Sequence, residues 1–249
     1  MDTKEMLEMN KGSWEINAER FFGRTALPEF GPLAPNEEDL HLFGDVSDKK
    51  VLDIGCGSGH SLQYMGGRGA KELWGLDLTT KQIETANELL QTQVVPVNLF
   101  ESAMEDNPGL PMNYFDIAYS IYALGWTVDL DKTLSNIHQY LKPGGILIFS
   151  WEHPLHDRVK RVDSTYYVDK SYLNEGPEYN EAWHHEVIIY HRKLSTYITA
   201  LIRAGFEVEN VIDEVVLPDK VPDGDERRWY SVDKARLIPA TFIMKARKK

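Results

Sequence analysis

Apolar positions along the chain change their spacing as it proceeds. Over residues 1 to 22 they recur at helical intervals, with Met6, Met9, Trp14, Ala18 and Phe21 roughly on one face. "GRTALPEFGPLAP" follows, and its glycines and prolines break the helix into a loop. The pattern predicts another helix from Asn36 to Phe43, capped by Asn36 with two acids behind it. From Lys50 the period shortens. "KVLDI" reads as a strand, "HSLQYMG" as a helix ended by Gly66 and Gly67, and "ELWGLDL" as a second strand. "TTKQIETANELLQT" is an amphipathic helix with Thr79 or Thr80 as its N-cap. "VVPVNLF" and "YFDIAYSIYAL" are further strands, "DLDKTLSNIHQYL" a helix that stops at "KPGG", and "ILIFSW" a fifth strand. Apolar, β-branched strands alternating with amphipathic helices imply a parallel sheet covered on both faces.

After Trp151 the alternation stops. Residues 153 to 186 are polar, aromatic and loop-like, with Tyr166, Tyr167, Tyr172, Tyr179 and Trp183 among them. The stretch is too long for an ordinary connector, which suggests a functional segment. "EVIIYHR" then reads as a strand, "LSTYITALIRAG" as a helix closed by Gly205, and "FEVENVID" and "ATFIMKA" as final strands.

Composition narrows the function classes. Hydrophobic residues make up 42% of the 249 residues, enough for a sizeable core. A net charge of -12 disfavours phosphate backbones and anionic lipid, so neither nucleic acid nor membrane is expected as a partner. The charge instead suits a small neutral or cationic molecule. No apolar run reaches the roughly 20 residues of a bilayer span. The N-terminus lacks the apolar core of a secretion signal. The single cysteine, Cys56, can form no internal disulfide, and the expected location is the cytoplasm.

The chemistry concentrates in "VLDIGCGSGH". Gly55, Gly57 and Gly59 lie between the first strand and its helix, where backbone can approach a ligand and the helix N-terminus offers free N–H groups. The spacing is G-x-G-x-G with His60 next, not the G-x-G-x-x-G of dinucleotide folds, and the Lys-Ser/Thr ending of a phosphate loop is missing. Asp53, ahead of the first glycine, would repel a pyrophosphate but suits a ligand bearing an ammonium and a sulfonium. Asp77 ends the second strand and can accept both hydroxyls of a ribose, a feature that nicotinamide and S-adenosylmethionine sites share. A carboxylate there can equally cap the helix at Thr79.

"VLDIGCGSG", "LWGLDLTTKQIETA", "FDIAYSIYALGW" and "LKPGGILIFSW", in that order, resemble the successive motifs of class I S-adenosylmethionine-dependent methyltransferases, most nearly the bacterial small-molecule type 11 group. The likeness covers Lys50 to Trp151 and continues more weakly through "HRKLSTYITALIRAGFEVENVID". It implies a Rossmann-like, doubly wound α/β fold with a seven-stranded, mostly parallel sheet whose last strand, "ATFIMKA", runs antiparallel. One domain over residues 1–249 would comprise an N-terminal helical lid (1–49), a cofactor-binding core (50–151), an insertion over the acceptor pocket (152–190) and a C-terminal helix and strands (191–249). The implied cofactor site is Asp53, Gly55, Cys56, Gly57, Gly59, Asp77, Leu78, Gln82, Ala103, Met104, Glu105, Ser120 and Ile121. The implied activity is methyl transfer from S-adenosylmethionine to a small-molecule acceptor. A noncatalytic S-adenosylmethionine-binding regulator and a nicotinamide oxidoreductase remain alternatives.

Methyl transfer by in-line displacement needs alignment and exclusion of water, and a base only if the acceptor must lose a proton. His153, just past the fifth strand, is the candidate base. Trp14, Phe22, Leu27, Tyr122, Trp126, Trp183 and His184 are the candidate acceptor pocket. His184 and His185 alternate on one strand, so only one can face inward. His153, His156 and His184 lack the cysteines or acidic spacing of a zinc site, and no metal is expected. Cys56 reads as a small packing residue between glycines.

Overall fold

A computed structural model describes residues 1–163, 165–218 and 230–249. Its centre is a seven-stranded sheet. The strands β1 (Lys50–Ile54), β2 (Glu72–Asp77), β3 (Val97–Glu101), β4 (Phe115–Ile121) and β5 (Leu141–Glu152) are joined by α3 (His60–Gly67), α4 (Thr80–Leu90) and α5 (Leu130–Tyr140). α1 (Thr3–Asn17) and α2 (Glu37–Leu40) precede them. The hairpin strands β6 (Val159–Val162), β7 (Thr165–Val168), β8 (Gly176–Ala182) and β9 (His185–His191) follow. Then come α6 (Leu194–Arg203), β10 (Phe206–Ile212), α7 (Val232–Ala235) and β11 (Thr241–Lys248).

The sheet order is β10-β11-β5-β4-β1-β2-β3. β1 pairs in parallel with β2 and β4, β2 with β3, and β4 with β5, while β11 is antiparallel to both β5 and β10. The order reverses beside β1, so the carboxyl ends of β1 and β4 open a crevice there, the usual ligand position of such sheets. The expected seven strands and the antiparallel last strand are therefore present.

Each face of the sheet is buried by the residues its pattern offered. α5 and α6 cover one face with Leu134, Ile137, Tyr197 and Leu201, each of the aliphatic side chains contributing about 1.5–3 kcal/mol on burial. The other face takes Leu62 and Met65 of α3, Leu90 of α4, and Phe30 and Phe43 from the N-terminal segment.

Three local readings need correction. The first helix ends at Asn17 and tightens into a 3-10 turn over Ala18–Phe21. Its buried positions are Asn10, Ser13 and Asn17, not an apolar stripe. The reason is its neighbour. Asn10 Nδ2 donates to the Ile188 carbonyl at 2.9 Å, and the Ile188 N–H donates to Asn10 Oδ1 at 2.8 Å, so the side-chain amide completes the edge of β9 as another strand would. The helix expected from Asn36 to Phe43 is the single turn of α2. His41 turns left-handed, with φ 50°, and the buried Glu37 carboxylate accepts the N–H groups of Leu42 and Phe43. The loop-like stretch after β5 contains two hairpins, β6–β7 and β8–β9. Their period was hidden because the inward residues of β8 include Glu178 and Asn180, and Glu178 pairs with the buried Arg158.

Candidate functional site

A cavity of about 570 Å³ lies at the carboxyl ends of β1, β2, β4 and β5, beneath α1 and the β8–β9 hairpin. Its floor is the loop after β1. The Gly55 and Cys56 N–H groups both donate to the Leu76 carbonyl, at 2.8 and 2.9 Å, and fasten that loop to the neighbouring strand. The three glycines do different work. A Cβ on Gly55 would lie 2.4 Å from the Ala123 Cβ, so this position permits close approach to the segment after β4. Gly57, at φ +50°, faces nothing within 4 Å, and is the open cradle where a ligand can touch backbone. Gly59 packs against Ala86 and Leu90 of α4 and does not line the cavity. It serves helix packing, not the ligand contact expected of it.

Two carboxylates face this floor, Asp53 buried and Asp77 half-buried. Asp77 Oδ2 accepts from Gly57 N at 3.0 Å, and its Oδ1 accepts from Thr79 N and Oγ1 at 3.0 and 2.9 Å. It thus organises both turns and still faces the cavity with lone pairs to spare. It holds the turn ahead of α4 and also faces the cavity, which is compatible with either of the two alternatives. Asp53 is 2% exposed, and no lysine or arginine among the described residues pairs with it. Burial, and then the Asp77 charge, push its pKa well above the ordinary carboxylate range. A buried acid beside a second acid is a costly arrangement that a ligand ammonium would relieve. Gln82, 5% exposed, also lines the cavity, and its buried Oε1 has no hydrogen-bond partner.

Leu78, Ala103, Met104, Glu105, Cys56 and Ile121 also line it. The Glu105 carboxylate is already engaged, accepting from Thr127 Oγ1 at 2.6 Å and Val128 N at 2.7 Å. Both bonds are to Oε1, which holds the turn after β4. Ser120 is not in the cavity. Its Oγ donates to the Ile54 carbonyl at 2.7 Å inside the sheet. Burial and the two nearby carboxylates raise the Cys56 thiol pKa, which leaves it protonated and inert.

The residues that fit S-adenosylmethionine are therefore the open backbone at Gly57, Asp53 with its tyrosine neighbour Tyr119 but no described ion-pair partner, Asp77 at a strand end, and Gln82 with its orphaned acceptor. A dianionic pyrophosphate would meet two carboxylates here, with Arg24 of the N-terminal loop the basic side chain that lines the cavity beside the glycine turn.

The opposite wall of the cavity comes from elsewhere in the chain. Trp14, Tyr122, Trp126 and Trp183 line it, joined by Phe21, Trp151, Glu152, His156, Asp157 and Lys234. Phe22, Leu27 and His184 do not. Phe22 is 52% exposed and packs edge-on against His60. Leu27 is buried in the core under the N-terminal loop. Trp183 and His184 form the two-residue turn between β8 and β9, both at positive φ, so His184 points to solvent and does not alternate with His185 on a strand.

His153 also departs from expectation. It is buried but faces a separate cavity of about 100 Å³, accepts from Leu155 N through Nδ1 at 3.3 Å, and lies 4.0 Å from Asp213. Burial lowers its pKa. The main-chain turn from His153 to His156 exchanges the two rings: the His156 N–H donates to the His153 carbonyl, and His156 lines the main cavity. Sequence position alone could not tell these two histidines apart.

Comparisons with known proteins agree with this geometry. A model of the methyltransferase domain family matches residues 52–149. The chain is 32% identical to an uncharacterized protein of Haemophilus influenzae, over 84% of this chain and 85% of that one. It is 31% identical to a malonyl-[acyl-carrier protein] O-methyltransferase of Pseudescherichia vulneris, over 62% of each. Among solved structures, an S-adenosylmethionine-dependent methyltransferase from Mesorhizobium loti superposes with a TM-score of 0.71 at 27% identity, covering 85% of this chain and 96% of the other.

Proposed function

The chain belongs to the S-adenosylmethionine-dependent methyltransferases, and from that premise we propose that it methylates a small molecule seated against the aromatic wall of the cavity. The observation that carries this reading is continuity. One cavity joins the Gly57 cradle, Asp53 and Asp77 to Trp14, Trp126, Trp151 and Trp183 without an intervening wall. A regulator that only sensed the cofactor would have no use for the second half.

S-adenosylmethionine supplies an electrophilic methyl group on a positively charged sulfur. Asp53, Gly57, Asp77, Leu78, Gln82 and the 103–105 segment would hold it. Asp53 supplies negative charge to the amino acid end, and Asp77 takes the ribose hydroxyls. Ile121 and Tyr122, at the end of β4, border the passage between the two halves. The rings of α1 and the β8–β9 turn exclude water, which favours alignment and protects the electrophile from hydrolysis.

α1 is built as a cover for this site. Glu15 accepts the N–H groups of Thr80 and Lys81 at the start of α4, at 2.7 and 3.0 Å, and Lys11 pairs with Glu101 at 2.6 Å. Asn10 ties the same helix to β9. Cofactor exchange requires this cover to move. Neither nucleic acid nor membrane belongs to this reading, and no described helix is long and apolar enough to cross a bilayer.

The test is thermal. S-adenosylhomocysteine should raise the melting temperature by mass action, and NAD should not. Stabilisation by NAD alone would refute the assignment. Protease sites in residues 1–30 and 153–193 should become protected when S-adenosylhomocysteine saturates the protein. Equal cleavage with and without it would remove the cover from the reading.

A further inference from the structure

Six aromatic rings form one continuous band along the acceptor wall. Phe21 and Trp183 have centroids 4.7 Å apart, Trp183 and Trp14 5.1 Å, and Trp14 and Trp126 5.3 Å. Trp126 and Trp151 follow at 5.8 Å, and Trp151 and Tyr122 at 5.5 Å. All six line the cavity. They arrive from separate places: α1 and its 3-10 extension, the turn after β4, the end of β5, and the β8–β9 turn. The last of these is a strained way to place a ring. Two-residue hairpin turns with both residues at positive φ normally use Asn and Gly. Here they are Trp183 at φ 54° and His184 at φ 67°. A bulky side chain in that region is costly and persists where its surroundings or its role demand it. Its ring closes the band over the cavity.

A carboxylate opens into the same space. Glu152, the last residue of β5, has His156 as its partner, with Nδ1 3.6 Å from Oε1, and no described lysine or arginine lies within ion-pair distance of it. Other charged groups line the same cavity, Arg24 from the N-terminal loop among them. Asp157 is held by Arg158 and Lys170. Lys234 reaches the cavity from α7 with its basicity lowered by burial, against a partial restoring pull from Glu152 and Asp157. The faces of aromatic rings attract cations through their quadrupole, and a carboxylate set among them completes the same preference.

We propose that the acceptor is an amine, bound as its ammonium form against this band, with Glu152 and His156 receiving the proton it must lose before it can react. The proposal rests on the methyltransferase reading and names its substrate class. The freed nitrogen lone pair forms the new N–C bond as the C–S bond breaks. The bonding pair of that C–S bond leaves with sulfur as a neutral thioether, and the positive charge passes to the methylated nitrogen. The proton lost beforehand resides on the Glu152–His156 pair and passes to solvent when the cover opens. The product is again a cation, so the same band holds it until release.

Three probes of one shape and different charge separate this from other acceptor classes: choline, 3,3-dimethylbutan-1-ol and 3,3-dimethylbutanoate. Each is titrated into the full chain saturated with S-adenosylhomocysteine, with tryptophan fluorescence as the readout. Choline should bind at least tenfold more tightly than the alcohol, and the carboxylate should bind least. Glu152→Gln should remove most of the preference for choline and leave the alcohol unchanged. Trp126→Leu, which keeps the carboxylate, should weaken choline more than the alcohol and gives a second route should the first variant fold poorly. Equal binding of choline and the alcohol, or tighter binding of the carboxylate, would overturn the proposal. So would S-adenosylhomocysteine release with phenols or carboxylic acids but not with amines in an acceptor panel. Failure of S-adenosylhomocysteine to bind at all would instead strike the methyltransferase reading itself.

Discussion

The two halves of the cavity are made in different ways. The cofactor half comes from three short runs, residues 53–57, 76–82 and 102–105, each at the end of a parallel strand or in the turn behind it. Its key features are backbone features: a cradle at Gly57, turn N–H groups, and carboxylates fixed at strand ends. The acceptor half has no run of its own. Trp14 with Phe21, Trp126, Trp151 and Trp183 come from four separate segments and meet because α1 docks on β9 and the β8–β9 turn packs its ring against Trp14, Phe21 and Trp126. A site made of strand ends is fixed once the sheet forms. A site made of distant rings exists only when every segment that carries one is in place. Damage to the first half should therefore abolish binding and spare the fold, and damage to the second should act through docking.

Asp77→Ala should give the largest effect. Two charge-assisted hydrogen bonds to a ribose, each worth about 1.5–3 kcal/mol, would be lost, so calorimetry should record at least a tenfold fall in S-adenosylhomocysteine affinity. Loss of the Gly57 and Thr79 bonds would loosen the two turns, with a modest drop in melting temperature. Unchanged affinity would reduce Asp77 to an organiser of those turns and erase the distinction between the halves.

That distinction also decides what could be read from sequence. The strands around the cofactor half announce themselves by apolar runs closed by Gly or Asp, and Asp53, Gly57 and Asp77 follow from their place at strand ends. The misses have local causes. Ser120 sits on a strand whose residues alternate between faces, and its side chain bonds within the sheet, not in the crevice. Gly59 has the same residue type and motif as Gly57 but turns toward α4. In the acceptor half, a turn of three residues decides between His153 and His156, and no pattern in "EHPLH" encodes its direction. Asn10 was invisible because a polar side chain on a buried helix face has meaning only once the edge of β9 lies beside it. Trp151 ends the strand "ILIFSW" and belongs to the buried core. That its ring also reaches the cavity depends on Gly125, which leaves room for it.

Asn10→Ala tests the docking of the acceptor half directly. It leaves the N–H and carbonyl of Ile188 without their partner in a buried place, at about 1–3 kcal/mol for each group. The melting temperature should fall, and α1 should become accessible to protease even with S-adenosylhomocysteine bound. The Gly57 cradle and Asp77 do not depend on Asn10, so the loss of cofactor affinity should be far smaller than for Asp77→Ala. A loss as large would mean that α1 is part of the cofactor site and not only its cover.

Gly125→Ala attacks the band from beneath. An added Cβ would stand 1.8 Å from the Trp151 ring, so the ring must move. Overpacking of this kind costs about 1–3 kcal/mol. The displaced ring would break the contacts with Trp126 and Tyr122. Tryptophan fluorescence should shift, and acceptor-side probes should bind more weakly while S-adenosylhomocysteine affinity holds. If the fluorescence and probe binding stay at their original values, the band does not need Trp151.

The smallest effect is the pH dependence of cofactor binding, and it is set by the carboxylates of the cofactor half. Asp53 has a folded-state pKa raised above the ordinary value of 3.8, first by burial and then by the charge of Asp77, whose own pKa burial also raises. An acid raised in this way destabilises the ligand-free fold as pH rises from the unfolded-state value through the folded one, because the folded form holds its proton longer. A ligand ammonium next to Asp53 favours the ionised carboxylate and reverses that shift. Binding should therefore release a proton below the raised pKa, and S-adenosylhomocysteine affinity should weaken on acidification, by at most about tenfold per pH unit for each proton released. Calorimetry in buffers of different ionisation enthalpy would register that proton. Asp53→Asn should abolish its release while leaving the neutral packing intact. The choline-to-alcohol preference is set on the acceptor side by Glu152 and the rings, so it should not follow Asp53. Proton release that survives in Asp53→Asn would transfer this role to Asp77 and leave Asp53 a buried acid without a function in binding.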